Sequence, residues 1–384
     1  MPFTREKLAE GLNATRSWGH EGTPFDGVFT DTRSQVSQGL FFALSGPNHD
    51  AHDYLAKALE SGATGLVISR EEMLPSDLPQ DTFVAVVPDT RRALGRLGSM
   101  VRARLQGPVV AVTGSVGKTT VKDMAVAALG AFGTCGRSPG NWNNDIGVPL
   151  SLFALEGSER HVVLELGMSA PGEIADLTEM VRPDVGLVTT AAAAHLEFFE
   201  NVDAIADAKA ELYESLPQSA TAVACADDPR VLSRANALAG DRLITYGLAS
   251  GAQVRVTDID LSAQGLTTTI DVDGQLVTIR LSALGRHNAV NAAGAMAIVH
   301  ALGHDVELAA QTLSERFESS AHRLTLLETP GGVRILDDCY NANPTSTAAA
   351  LRTLEEIAPG AKRAAVIGSM LELGTTSAEL HREI

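Results

Sequence analysis

The sequence predicts an α/β protein in three zones: a small α/β unit, then a doubly wound parallel sheet at the centre, then a short βαβ unit. Three observations predict this. The chain has 384 residues, too many for one ordinary domain. Short apolar strand patterns alternate with helical stretches along most of its length, the order of a parallel sheet covered by helices. Finally, the buried-strand pattern VVAVT runs into a glycine-rich turn and a helical stretch, the arrangement that opens the ligand-binding edge of such sheets.

The first zone, 1–106, holds the strand-like pieces GVFTDT, GLFFAL, TGLVIS and TFVAVV and a helical piece, AHDYLAKALESGA, closed by Gly62. Gly107-Pro108 punctuates its end. The second zone, 107–317, starts with VVAVT and the helical pattern TTVKDMAVAALGAFG. Strand candidates HVVLELG, DVGLVTT, TAVACAD and RLITYG follow, separated by helical stretches such as VDAIADAKAELYESL. Between Val254 and Leu281 the pattern changes to alternation around Asp273-Gly274, which predicts an antiparallel annex. The helix NAVNAAGAMAIVHALG comes next. In the third zone, 318–384, strand VRILDD, an Asn-Pro loop, helix TSTAAALRTLEEIA and strand KRAAVIGS predict one βαβ unit, followed by the helical SAELHREI. One such unit is small for a domain, so this zone is expected to be incomplete.

Composition bounds the function. Apolar residues make up 45% and charged residues 20% of the chain, the balance of a soluble globular protein. A formal charge of -17 argues against a nucleic-acid or anionic-membrane surface, while leaving room for a locally positive pocket that takes small anions. Cys135, Cys225 and Cys339 lie far apart with no CxxC spacing, which argues against a disulfide framework or structural zinc site. The start of the chain has no signal-peptide run, and no segment has membrane-spanning length. A cytoplasmic monomer without membrane insertion is expected.

The sharpest chemical signal is Thr113-Gly114-Ser115-Val116-Gly117-Lys118-Thr119-Thr120. Between a buried strand and a helix, main-chain N–H groups and the helix dipole meet an anion. Gly114 and Gly117 allow close approach, Lys118 can reach the β- and γ-phosphates, and the Thr119 hydroxyl can hold Mg²⁺. The strict Walker pattern needs Gly where Val112 stands, so this is the shorter TGxxGKT form. Its bland alternative is a glycine-rich turn with a solvated lysine.

VTGSVGKTT, NWNNDIGVPLSL, LELGMSAPGEI, AAAHLEFF, GRHNAVNAAGA, SAHRL and DDCYNANPTS occur in the order found in the Mur ligases. The chain resembles that family over essentially its whole length. The resemblance implies three domains: an N-terminal one for a UDP-sugar, a central ATPase and a C-terminal Rossmann-like one that closes over ATP. It also implies that family members continue past LELG…LHREI. NWNN with DDCYNANP is similar to the members that add D-Ala-D-Ala to UDP-N-acetylmuramoyl-tripeptide. The implied chemistry is formation of an acyl phosphate from ATP, then attack by the dipeptide amine, with two Mg²⁺ ions. Other ligases of the superfamily, adding a third peptide residue or glutamate to folate, remain alternatives; no Asp-Asn-Pro-Arg is present. A non-catalytic nucleotide-binding remnant is a third.

Individual residues carry paired readings. Glu165 ends HVVLE, so it emerges at the C-terminal edge of a strand beside the phosphate loop; the resemblance implies a Mg²⁺ ligand. His195, in AHLEF, reads from position alone as a packed histidine or a metal ligand, and by resemblance as a ligand of the second Mg²⁺. Thr190, Ala191, Ala192, Glu200 and Asn201 depart from the family's usual residues around it. Lys209 reads as an exposed helical lysine near Glu211; the resemblance implies instead that CO₂ carbamylates it, which requires a neutral amine. Asn143 and Asn144 form a turn or, by resemblance, touch substrate or the phosphate-loop region. Asn288 is expected to cap the next helix, and the family assigns His287, Asn288 and Asn291 to the adenine. An arginine such as Arg323, delivered by domain closure, suits transferring phosphate, and Asp338 suits the ribose. Tyr340 follows the same strand, and Asn343 and Ser346 face ATP or dipeptide by resemblance, against an ordinary Asn-Pro turn. Thr32, Arg33, Asn48 and His52 are the UDP-sugar contacts implied, or else core and loop residues.

Overall fold

The computed structural model describes residues 3–193 and 196–384. The chain forms two units, Met1–Leu105 with Trp142–Gly157, and Gln106–Asn141 with Ser158–Ile384.

In the first unit, strands β1 (Arg16–Trp18), β2 (Gly27–Phe29), β3 (Gly39–Phe42), β4 (Ala63–Ile68) and β5 (Phe83–Val86) form one sheet in the order β1-β5-β4-β3-β2. The edge strand β1 runs antiparallel to β5, and the other pairings are parallel. Buried strands alternate their side chains between faces. Leu40 and Phe42 accordingly enter one apolar cluster and Phe41 the other. Trp142–Gly157, which the sequence puts inside the central zone, packs here because Ile146 and Phe153 join the Leu40 cluster.

The second unit continues with β6 (Val109–Thr113), β7 (Cys135–Arg137), β8 (His161–Glu165), β9 (Val185–Val188), β10 (Thr221–Cys225), β11 (Leu243–Gly247), β12 (Val254–Ser262), β13 (Gly265–Val272) and β14 (Gln275–Leu281). They form one sheet ordered β14-β13-β12-β11-β10-β9-β6-β8-β7. From β7 to the start of β12 the pairing is parallel, and β12–β14 form the expected antiparallel annex. All five residues of β6 are buried, as a parallel strand covered on both faces requires. Strand β6 lies between β8 and β9. The order therefore reverses around it, and the crevice at its carboxyl end is where such sheets bind ligands. Against this sheet lies helix His287–Ala301, whose Ala289, Ala292, Ala293 and Ala297 are wholly buried. Small residues there let it pack close to helix Lys118–Leu129, whose Val121, Met124 and Ala125 share the same core.

The last zone departs from expectation. Strand β16 (Arg334–Asp337) pairs antiparallel with β15 (Thr325–Glu328), and KRAAVIGS forms no strand. A parallel strand needs both faces covered, whereas Val366 is fully exposed and Ile367 about half exposed. The predicted helices over 344–357 and 377–383 do form.

One polar pair borders the core of the central sheet. Nε2 of His161, at the start of β8, lies 2.8 Å from Nε2 of His304, and Phe132 stacks on the His304 ring at 4.3 Å. Burial, with the charges of His304 and Arg160, lowers the His161 pKa from 6.5 to about 4. The ring is therefore neutral in the fold and takes up a proton on unfolding below pH 6.5. Its contribution to stability is complete above pH 6.5 and lost as pH falls toward 4. His161→Phe is expected to flatten the fall of Tm between pH 6.5 and 5 by a few degrees, at about 2–4 °C per kcal/mol. Parallel Tm–pH curves for the two proteins would contradict this.

Candidate active site

Strand β6 ends at Thr113 and delivers the loop 114–117 to the N-terminus of helix Lys118–Leu129. Gly117 has φ +89, and a Cβ there would lie 2.7 Å from Asn291 Oδ1. Gly114 has φ +141, and a Cβ would overlap the Thr189 hydroxyl. Both positions demand glycine. The residues just after β9 hold the loop's shape. Thr189 donates to the Val116 carbonyl at 2.6 Å, and Ser115 N–H donates to the Thr190 carbonyl at 2.7 Å. Ser115 Oγ also accepts from Ala192 N–H at 3.0 Å, and Ala191 N–H donates to Asp228 at 2.8 Å. Thr189, Thr190 and Ala192 therefore form the clamp on the loop, and Asp228 anchors Ala191 within it.

Lys118 donates to the Gly114 carbonyl at 2.8 Å. Its pKa is lowered chiefly by burial; Glu165 opposes that shift and Arg323 adds to it. Glu165 is 2% exposed and stands beside Val112 in the β6–β8 register. Its Oε2 accepts from the Thr119 hydroxyl at 2.8 Å, and Arg323 Nη2 donates to that hydroxyl at 3.2 Å. The Arg323 guanidinium also covers the Tyr340 ring, 4.3 Å from its centre. One hydroxyl thus joins the phosphate loop, the end of β8 and the arginine from the last zone. The hard oxygen donors Thr119 Oγ1 and Glu165 Oε2 fit Mg²⁺.

A cavity of about 430 Å³ opens on the same loop. Val116, Gly117 and Thr120 line it from the loop, and His287, Asn288 and Asn291 from the following wall; Arg323, Asp338 and Ser346 close it. The buried hydroxyl of Thr190, also in its wall, has no partner among the described residues, a polar atom suited to a ligand's oxygen. Burial raises the Asp338 pKa, against the hydrogen bond from Leu324 N–H and the charge of Arg323. The His287 pKa falls to about 4 through burial and the charge of Arg352.

Several expectations need correction. Asn288 does not cap its helix, which begins at His287. Its amide instead donates to the Leu284 carbonyl at 2.7 Å and accepts from Asn291 at 2.9 Å. Lys209 is not an exposed lysine: it is 3% exposed. Burial, reinforced by the charge of Lys118, holds its pKa well below the ordinary value. His52 is buried with both ring nitrogens engaged, Nδ1 with Asp50 at 2.6 Å and Nε2 with Ser69 N–H at 3.0 Å. It supports the first unit and has no nitrogen left for a sugar.

The remaining expectations fall on definite places. His195 lies outside the described residues. Asn343 and Ser346 form a reciprocal capping box, so the Asn-Pro turn is a helix start. In the first unit Thr32 is half-buried, while Arg33 is exposed and paired with Asp31. Asn48 is exposed in the turn before Asp50. Asn144 accepts from Gly147 N–H at 2.8 Å and starts the helix there; Asn143 is half-buried next to it.

Comparison with known proteins now decides the family. Residues 112–299 match the Mur ligase middle domain, and residues 322–384 match the Mur ligase glutamate ligase domain. The chain is 37% identical over 360 residues to the UDP-N-acetylmuramoyl-tripeptide–D-alanyl-D-alanine ligase of Escherichia coli K12, covering 94% of this chain and 78% of that one. The chain belongs to the Mur ligase family. Among solved structures, a MurF from Acinetobacter baumannii superposes with TM-score 0.90 at 30% identity, covering all of this chain and 82% of that one. The Thermotoga maritima MurF in complex with ADP gives 0.83 at 28% identity, covering 93% and 80%. As in this family, the enzyme uses ATP to form a peptide bond.

Sequence reasoning missed Lys122. It lies one helical turn after Lys118, on the helix face that otherwise buries Val121 and Met124, and is 1% exposed. It donates to the carbonyls of Ser138 at 3.1 Å and Gly140 at 3.2 Å, and sits 3.6 Å from Asp123 and 4.0 Å from Glu165. The available signal was a charge in an apolar stripe. Removing one member of a buried ion pair is costly, so Lys122→Met is expected to lose about 3 kcal/mol or more of stability. Urea unfolding checks this, and a loss below about 1 kcal/mol would mean the buried charges need no such partner.

Proposed function

We propose that this Mur ligase adds D-alanyl-D-alanine to UDP-N-acetylmuramoyl-tripeptide, forming ADP and phosphate. The observation that carries the proposal is the meeting of Thr119, Glu165 and Arg323 at the phosphate loop, beside a cavity that suits a nucleotide. The relatives that add this dipeptide supply the substrate class.

The terminal carboxylate of the tripeptide attacks the γ-phosphorus of ATP, and the bond to the β-bridging oxygen breaks to release ADP. The amine of the dipeptide then attacks the acyl phosphate carbon, loses a proton and expels phosphate. Two anions must meet in the first step, so positive charge and alignment dominate its barrier. Main-chain N–H groups of Gly114, Ser115, Val116 and Gly117 cradle the phosphates, and Lys118 neutralises the β–γ end. Thr120 continues that turn. Arg323 stabilises the phosphoryl group in transit. His287, Asn288 and Asn291 receive the adenine, and Asp338 accepts from the ribose.

Thr119 and Glu165 would hold a first Mg²⁺, and His195 and a carbamylated Lys209 a second; bound there, Mg²⁺ would supply positive charge between nucleotide and acid. Burial lowers the pKa of Lys209, a shift toward the neutral amine, the form that reacts with CO₂. Thr32, Arg33 and Asn48 contact the UDP-sugar; Asn143, Asn144, Tyr340, Asn343 and Ser346 contact the peptide parts or ATP. The working unit is a single chain in the cytoplasm.

Phosphate release with UDP-linked tripeptide is expected only when D-Ala-D-Ala is present, and not with diaminopimelate or glutamate in its place. Lys118→Ala is expected to lower that rate by roughly 10²–10³-fold or more. Dipeptide-independent turnover, or preference for another nucleophile, would overturn the assignment.

A further inference from the structure

Beyond the ATP cavity, the last zone gathers a second set of ligating atoms. His322 Nδ1 is 2.6 Å from Asp337 Oδ2 and 3.6 Å from Cys339 Sγ. The three ligand atoms all lie within 4.8 Å of one another. In a tetrahedral zinc site with N, O and S donors, bond lengths near 2.0–2.3 Å put ligand atoms roughly 3.3–3.8 Å apart. The 3.6 Å between His322 and Cys339 has that spacing, and Asp337, hydrogen-bonded to His322 at 2.6 Å, gives up that bond and moves by roughly 0.7 Å to admit the ion. Both His322 and Cys339 are exposed, so an ion has access and water can fill the fourth position.

Backbone geometry explains why the three converge. Asp337 ends β16 and Cys339 lies two residues beyond it, where Cys339 N–H donates to Asp337 Oδ1 at 3.3 Å and turns the chain back on the carboxylate. Asp338, between them, lines the cavity. His322 comes from the preceding turn, where its φ is +63. That turn is tied to the strand by Tyr340 N–H donating to the His322 carbonyl at 3.2 Å, and by Leu324 N–H donating to Asp338 at 3.1 Å. The ligand set is thus pinned from two segments that are adjacent in space and 15 residues apart in sequence.

We propose that His322, Asp337 and Cys339 form a binding site for a thiophilic divalent cation of the zinc class, distinct from the Mg²⁺ positions. A thiolate and an imidazole favour such an ion over Mg²⁺, which prefers oxygen. Each ligand is a chain neighbour of a residue at the cavity: His322 of Arg323, Asp337 and Cys339 of Asp338. Occupancy therefore staples the turn to β16 and restrains Arg323. This second clause rests on the proposed role of that arginine; the binding itself does not.

Co²⁺ titration of the intact protein tests the binding without any activity readout. The expected result is a near-ultraviolet thiolate-to-cobalt absorption that saturates at one ion per chain, displaced by Zn²⁺. Cys339→Ser and His322→Ala should abolish it, while Cys135→Ser should retain it. No band at millimolar Co²⁺, or a band that survives Cys339→Ser, overturns the site. In the ligase assay with saturating Mg²⁺, Zn²⁺ should slow the wild type at concentrations at least tenfold below those needed for Cys339→Ser. Equal inhibition of the two overturns the link to Arg323.

Discussion

A buried carboxylate beside a phosphate-binding loop is the constraint around which the site is organised. Glu165 ends a strand that is buried along its whole length, and an unpaired charge there would be prohibitively costly. The structure answers with cations and one hydroxyl. Lys118 and Lys122 stand one turn apart on a single helix, Arg323 approaches from the last zone, and Thr119 bonds the carboxylate directly. The same groups that keep the carboxylate tolerable are those that anionic phosphates require. Under the proposed function, stability and chemistry therefore draw on one set of charges.

The loop itself depends on its neighbours. Four residues with two glycines have little preference for a single shape. Thr189, Thr190 and Ala192 supply the hydrogen bonds that select one, and Asp228 fixes the segment that supplies them. Because Thr189 and Thr190 directly follow β9, which pairs with β6, the clamp is built into the sheet. Pre-organisation of this kind lets the main-chain N–H groups meet a phosphate without reordering at the moment of reaction.

Much of this was legible in the sequence, for identifiable reasons. The run VVAVT with TGSVGKTT specifies strand, turn and helix through local composition alone, and Glu165 announces itself as the polar end of an apolar strand. The fold of the central sheet follows from repeated strand-and-helix periodicity. What failed depended on distant contacts. Lys209 looks like any helical lysine until its helix packs on β9 and buries it within reach of the charge of Lys118. Asn288 has the composition of a cap, but the chain turns into helix at His287 and its amide reaches back to Leu284. His52 carries no sequence mark of its bonds to Asp50 and Ser69. The apolar pattern of KRAAVIGS predicts a strand, yet a strand needs a partner and a covering layer that the segment does not find among the described residues.

The central claim is that the charge on Glu165, held beside Thr119, is what the chemistry uses. Glu165→Gln preserves size and can still accept the Thr119 hydrogen bond while removing that charge. The direct measurement is the rate of ADP formation by this variant across a Mg²⁺ titration, with its Tm recorded alongside. The account predicts a folded protein whose rate falls by about 10²-fold or more and is regained in part only at much higher Mg²⁺. A rate and Mg²⁺ dependence close to those of the wild type would contradict it.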